Sequence, residues 1–177
     1  MACWCENLCM VYLVVSDLHG SKRGMERIQG LVQKEHPDCL LLLGDVLHGG
    51  YDVDEMYCIK SLKEIGVPIL AVEGNCDFPW DANSLGFPLP ELRAFSFSGH
   101  RFHLSHHPSH LSFPPGDVLV NGHTHRKELY SFEGVIHLNP GSIALPRDDG
   151  PGYALIKDGI IELKNAYDDS LIKSIDL

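Results

Sequence analysis

Residues 10–20 read MVYLVVSDLHG, and this stretch decides the fold. Six apolar or aromatic residues, three of them valine, run from Met10 to Val15, and Asp17-Leu18-His19-Gly20 then stops them. A run so short, so apolar and so abruptly ended predicts a strand buried on both faces. Such a strand needs cover on each side, and the flanking sequence supplies it. Residues 24–36 place Met25, Ile28, Leu31 and Val32 at helical spacing, and Pro37 closes them. Residues 39–43 are a second apolar run, ended by Gly44. Residues 53–65 carry Val53, Met56, Tyr57, Ile59, Leu62 and Ile65 near a 3.6 period, with Gly66 as the stop, and residues 67–72 form a third strand ended by Glu73-Gly74. This β-α-β-α-β order implies parallel strands joined by right-handed crossovers.

The second half changes character. Residues 94–97 and 101–105 flank a Ser-Gly turn, 117–120 form another short strand, and 126–132 and 135–138 flank Glu133-Gly134. Residues 153–157 and 160–164 flank Asp158-Gly159, the strongest hairpin signal in the chain. Residues 78–91, rich in Pro, Gly and Asn, are expected to be a long loop, and the tail's Asp168-Asp169 pair a solvated face. The expected fold is therefore α/β: one domain over residues 10–177, with a two-layered β core and helices outside. Residues 1–9 contain Cys3, Cys5, Cys9 and Glu6 but no Lys or Arg, which does not suit a signal peptide. They are read as a flexible extension, with Met10 as an alternative natural start.

Composition narrows the function classes. The 177 residues are 44% hydrophobic and 21% charged, as in ordinary globular proteins. A net charge of −10 argues against a long nucleic acid as the main partner, since that binding rests on clustered Lys and Arg. It leaves room for a small phosphorylated substrate, because metal ions can reverse the field inside one cleft. No apolar run reaches the roughly 18 residues of a membrane span, so no membrane partner is expected. Six cysteines without a C-x-x-C pair give no disulfide framework or zinc knuckle, and a reducing, cytoplasmic location is the expectation. A homo-oligomer remains compatible with the sequence.

The chemistry gathers at strand ends, where open α/β sheets bind ligands. The first strand ends in Asp17-Leu18-His19, the second in Gly44-Asp45, and the third in Gly74-Asn75-Cys76-Asp77. Residues 101–105 lead into His106-His107, and 117–121 into Gly122-His123-Thr124-His125. Carboxylate, amide and imidazole groups are the ligands of borderline divalent metals. In extended backbone, side chains two apart point the same way, so Asp17 with His19, and His123 with His125, are expected to grip a metal from one side. Glycines precede several of these residues, where a larger side chain would crowd the strand exit. With 11 histidines, chance alone supplies nearly one H-x-H pair, so the signal is the recurrence and not any single pair.

These blocks, in this order, resemble those of the calcineurin-like metallophosphoesterases, most nearly the small YfcE-type phosphodiesterases. The resemblance runs from Met10 to about Lys164 and includes the Asn139-Pro140-Gly141-Ser142 turn. It implies a four-layer αββα sandwich of two mixed β-sheets flanked by helices. It also implies two divalent metal ions per chain, manganese first, with zinc, iron or nickel as other fits. One metal falls to Asp17, His19, Asp45 and His125; the second falls to Asp45, Asn75, His106 and His123, with Asp45 bridging. The implied reaction is attack of a metal-bridging hydroxide, in line, on the phosphorus of a small phosphodiester.

Two positions depart from the family pattern. Cys76 stands where many relatives carry a His that protonates the leaving group, and Pro108 where a further His is frequent. His107 or His110 is the substitute near the leaving group. The expected catalytic residues are Asn75, Asp45 and His107, with Asn75, Cys76 and His48 touching substrate. Arg147 reads as a surface charge, with a phosphate contact as the alternative. The missing His predicts modest rates, and the short chain an open cleft of low selectivity. The rival function is an interaction scaffold like the retromer subunit of this fold, with weak or no catalysis.

Overall fold

The computed structural model describes residues 10–107 and 112–177. The expected extension over residues 1–9, and the residues Pro108 and His110, lie outside these. Each predicted strand of the first half appears: β1 (Tyr12–Val15), β2 (Cys39–Leu43) and β3 (Ile69–Val72). The crossovers are α1 (Lys22–Glu35) and α2 (Glu55–Lys63). Ser21 caps α1 by accepting a hydrogen bond from the Gly24 N–H at 3.0 Å. Asp54 caps α2 in the same way from Tyr57, also at 3.0 Å. Gly30 sits mid-helix in α1 on an exposed face, and a Cβ built there would meet nothing within 4 Å. Gly30→Ala is therefore expected to raise stability by about 0.5–1 kcal/mol, read as an upward shift in thermal midpoint.

The chain continues through a one-turn helix, α3 (Asp81–Leu85), and eight strands. These are β4 (Leu92–Phe97), β5 (His100–Ser105), β6 (Val118–Val120), β7 (Lys127–Phe132), β8 (Val135–Pro140), β9 (Gly152–Lys157), β10 (Ile160–Asn165) and β11 (Leu171–Asp176). They build two mixed sheets with flanking helices. One sheet runs β11-β10-β9-β1-β2-β3, the other β4-β5-β6-β8-β7. β1, β2 and β3 pair in parallel, as do β5, β6 and β8.

β1 and β2 are buried on both faces, as their sequence requires. Tyr12, Val14, Leu41 and Leu43 face the second sheet and pack with Phe102, Leu104, Val118, Val120 and Leu138. Leu13, Val15, Leu40 and Leu42 face the helices and pack with Met25, Ile28, Cys58 and Leu62. All three described helices contribute to this second cluster, so the helical cover lies on the six-stranded sheet. The carboxyl ends of β1, β2 and β3 thus open beside those of β5 and β6.

Two elements depart from the sequence reading. The loop expected over 78–91 contains α3, whose five residues are too few to set a period. The tail after the Asp168-Asp169 pair, where no element was expected, contains β11, paired with β10 along its length. β11 is an edge strand with mostly exposed side chains, so no burial alternation marks it.

Candidate metal centre

Five of the ligand-type residues lie in left-handed backbone: Asp17 (φ 54°), His19 (φ 51°), Asp45 (φ 51°), His123 (φ 69°) and His125 (φ 60°). The extended backbone expected at these strand ends is therefore absent, because each chain turns sharply as it leaves the sheet. Asp17 and His19 still converge, with the His19 Nε2 4.0 Å from Asp17 Oδ1. His123 and His125 do not act as one grip: they join different clusters. Asp17, His19, Asp45 and His125 form one buried group, and His106, His107 and His123 form another.

The ring orientations show what these groups are arranged to hold. The His19 Nδ1 lies 2.6 Å from the His48 carbonyl, and the His125 Nδ1 lies 2.6 Å from the Leu145 carbonyl. A carbonyl only accepts, so both Nδ1 atoms carry hydrogen, and in the neutral rings both Nε2 atoms present lone pairs. Yet those two Nε2 atoms are 3.3 Å apart. Asp17 Oδ1 is buried beside them without a hydrogen-bond donor of good geometry, although His125 Nε2 approaches to 3.2 Å. Asp45 Oδ2 lies 3.6 Å from His19 Nε2. Four acceptor atoms face one space with no donor between them, which is the arrangement a cation satisfies.

The second group repeats the pattern. The His106 Nδ1 donates to the Leu43 carbonyl at 2.7 Å, which turns its Nε2 toward Asn75 Oδ1 at 3.1 Å and Asp45 Oδ2 at 3.4 Å. His123 Nδ1 approaches the same Asn75 oxygen at 2.9 Å. Asp45 Oδ2 stands between the two groups, within 3.6 Å of His19 and 3.4 Å of His106. The residues present thus fit divalent cations, with Asp45 standing between the two groups.

The electrostatics are those of a pocket that attracts positive charge: Asp17 raises the His125 pKa, and, against the opposing effect of burial, Asp45 raises that of His106. Burial opposes ionisation of Asp45, but the adjoining His106 ring and a hydrogen bond from the Cys76 N–H hold its carboxyl well below the usual carboxylate range. Burial, with the neighbouring His107 and His106, lowers the His123 pKa and favours the neutral ring a metal needs. Burial, then Asp45, pushes the Cys76 thiol up to about 11.

Outer contacts fix the loops. Asp77 accepts hydrogen bonds from Val46 at 2.7 Å and Gly74 at 2.8 Å, tying the exits of β2 and β3 together. The Asn139 amide donates to the Gly122 carbonyl at 2.7 Å, and the Ser142 hydroxyl to the Asp17 carbonyl at 2.8 Å. The Asn139–Ser142 turn therefore braces the strand exits from behind. Glycine is required where strands crowd: a Cβ on Gly74 would overlap Asp45, and one on Gly122 would overlap Ser16 Oγ.

The expected substrate residues fare unequally. Asn75 and Cys76 line a cleft of about 460 Å³ with His19, Asp45, His123 and His125. His107 is exposed, its ring 4.1 Å from that of His123. The His48 ring is not brought into the cleft: Nδ1 lies 2.9 Å from Glu55 and Nε2 3.0 Å from Asp81, so the side chain faces away and only its carbonyl serves the site. Sequence reasoning missed Tyr51, Leu145 and Pro146 in the cleft wall and set Arg147 aside as a surface charge. The Gly49-Gly50 pair, separated from the Gly44-Asp45 block by three residues, was the available sign that this loop presses on the site.

Comparison with known proteins bears on this site. Residues 10–158 match the calcineurin-like phosphoesterase superfamily domain. The phosphodiesterase YfcE of Escherichia coli (strain K12) is 31% identical, over 94% of this chain and 97% of its own length. The solved structure of Yfce, a phosphoesterase from E. coli, superposes with a TM-score of 0.88 at 27% identity, covering 94% of this chain and 99% of that one. Vacuolar protein sorting 29 from Cryptosporidium parvum shares the fold, with a TM-score of 0.68 at 21% identity over 97% of this chain and 100% of that one.

Proposed function

Because the chain belongs to the calcineurin-like phosphoesterase superfamily, and so is a hydrolase acting on ester bonds, we propose that it cleaves small phosphodiesters at a two-metal site. The observation that carries this reading is the donor-free convergence of Asp17 Oδ1, Asp45 Oδ2 and the His19 and His125 Nε2 atoms. Asp17, His19, Asp45 and His125 hold one ion, and Asp45, Asn75, His106 and His123 the other. Manganese is the first choice, with zinc, iron or nickel as other fits. When bound, the ions supply a nucleophile at neutral pH and polarise the phosphoryl oxygens.

The remaining work falls to the chain itself. Backbone carbonyls of His48, Leu145 and Leu43 keep three imidazoles in the tautomer that aims Nε2 inward. Asn75 turns its carbonyl oxygen toward His106 and His123, and its amide donates one hydrogen to Cys76 Sγ at 3.4 Å, leaving the second for a phosphoryl oxygen. Cys76, held as a neutral thiol, is a weak proton donor, and exposed His107, its ring 4.1 Å from that of His123, is the other candidate donor at this end of the site. Weak protonation favours esters with good leaving groups, hence phosphodiesters of acidic alcohols over monoesters. The free thiols of Cys39, Cys58 and Cys76 suit a reducing, cytoplasmic setting. No described helix is long and apolar enough to cross a membrane.

The test loads metal-free protein with Mn²⁺, counts bound metal and assays a nitrophenyl phosphodiester and monoester. About two ions per chain, with the diester turned over faster, is the expected outcome. Metal uptake below one per chain and no hydrolysis would instead point to the interaction scaffold.

A further inference from the structure

Two side chains at the rim of the cleft have no role in holding the fold. Tyr51 is 95% exposed, the most exposed of the large hydrophobic side chains described. Its backbone is nevertheless fixed on both sides. Gly49 and Gly50 press so closely on His19 that a Cβ on Gly49 would reach its Nδ1 at 3.0 Å and one on Gly50 would overlap its carbonyl. Asp52 is pinned to the start of α1, its carboxylate accepting from the Arg23 N–H at 3.0 Å and its carbonyl from the Lys22 N–H at 3.1 Å. A bare aromatic ring is thus mounted on a rigid loop that abuts a ligand-type histidine.

Arg147 is mounted in the same manner on the other wall. Its N–H donates to the His125 carbonyl at 3.0 Å. Leu145, two residues before it, accepts from His125 Nδ1 at 2.6 Å. The acids that follow it are already taken: Lys127 Nζ lies 2.6 Å from Asp148 and 2.8 Å from Asp149. Among the described residues no carboxylate pairs with the Arg147 guanidinium. Arg147 is also the one Lys or Arg in the cleft wall of a chain carrying a net charge of −10. Since the His19 and His125 Nε2 atoms are 3.3 Å apart, these two rim residues flank the same end of the cleft.

We propose that Tyr51 and Arg147 form the recognition subsite of this cleft, Arg147 binding a non-bridging phosphoryl oxygen and Tyr51 stacking on a flat aromatic or heterocyclic ester group. The class of substrate is then a phosphodiester bearing an aryl or nucleoside group. This rests on the phosphodiesterase reading above and narrows it. Guanidinium suits two oxygens of a phosphate through its fork of donors, and an exposed phenol ring suits any planar π face. Pro146, also in the wall, offers an apolar edge beside the stack. A cleft of about 460 Å³ is of the size that takes one such group.

The test has a binding arm and a kinetic arm, on manganese-loaded full-length chain. In the binding arm, adenosine 5′-monophosphate and ribose 5-phosphate are titrated calorimetrically. Tyr51→Ala is expected to weaken the adenosine compound about tenfold and leave ribose 5-phosphate unchanged, while Tyr51→Phe keeps wild-type binding. Arg147→Ala is expected to weaken both about tenfold, with Arg147→Lys recovering part of the loss. In the kinetic arm, Tyr51→Ala raises KM for bis(nitrophenyl) phosphate with kcat little changed and leaves methyl nitrophenyl phosphate less affected. Equal binding by wild type and both alanine variants overturns the subsite, and if hydrolysis persists the phosphodiesterase reading stands. Tyr51-dependent binding without any hydrolysis overturns the phosphodiesterase reading and leaves the subsite intact.

Discussion

Asp45→Asn is expected to lower phosphodiester turnover about 10³-fold while the metal-free protein stays folded, the loss corresponding to some 4 kcal/mol of barrier. Asp45 Oδ2 lies 3.6 Å from His19 Nε2 and 3.4 Å from His106 Nε2, so among the described residues it is the one carboxylate oxygen within 4 Å of a histidine nitrogen in each cluster. Asparagine keeps the shape, and its remaining oxygen keeps the 2.8 Å hydrogen bond from the Cys76 N–H. Its amide nitrogen brings two donors to a space crowded with lone pairs, which satisfies the acceptors and removes the attraction for a cation. The thermal signature follows. At a metal concentration 100 times its Kd, binding stabilises the wild type by about 2.7 kcal/mol, or about 5–10 °C in midpoint for a chain of this size. Asp45→Asn is expected to abolish that shift without lowering the metal-free midpoint. Melts with and without Mn²⁺, alongside bound-metal counts, check this; a variant that binds two ions and turns over normally would remove Asp45 from the bridge.

Gly74→Ala is expected to cost about 3 kcal/mol of stability and to strip activity as well, by overpacking. The added Cβ would overlap both the Asp45 backbone nitrogen and its Oδ1. Neither partner yields easily. Gly74 is tied by its N–H to Asp77 Oδ2 at 2.8 Å, and the neighbouring Val46 N–H is tied to the same carboxyl group at 2.7 Å. The exits of β2 and β3 must separate, which moves Asp45 and Asn75 away from the histidines they face. Denaturant unfolding and turnover read the two consequences. Gly30→Ala, with open space around it, serves as the contrast and is expected to move stability the other way.

The strands around residues 10–72 were legible because both faces of β1 and β2 are covered, so the residues had to be uniformly apolar. The hairpin β9–β10 announced itself through Asp158-Gly159, where both residues take positive φ. β11 was not legible, since an exposed edge strand is held by backbone hydrogen bonds that any side chain permits. At the site, residue types at successive strand ends pointed to metal-binding chemistry, the family resemblance named the seven candidate residues, and the structure places those seven side by side. The division of His123 from His125 came from the family resemblance and not from spacing, because it depends on left-handed turns that two-residue spacing does not encode. Nor was the outward turn of His48, which is set by Glu55 and Asp81 on later elements. Tyr51 and Arg147 carried no periodicity, and their place depends on close packing of loops against His19 and His125.

The left-handed backbone at Asp17, His19, Asp45, His123 and His125 sets a conflict between loop and site. Glycine holds such a conformation with less strain, by about 1 kcal/mol or more. Yet the side chains at these positions also bind the loops together: Asp45 accepts from the Cys76 N–H at 2.8 Å, and Asp17 from the His123 N–H at 3.2 Å. A substitution that relaxed the backbone there would remove the site's groups and loosen the loops that carry them in the same step.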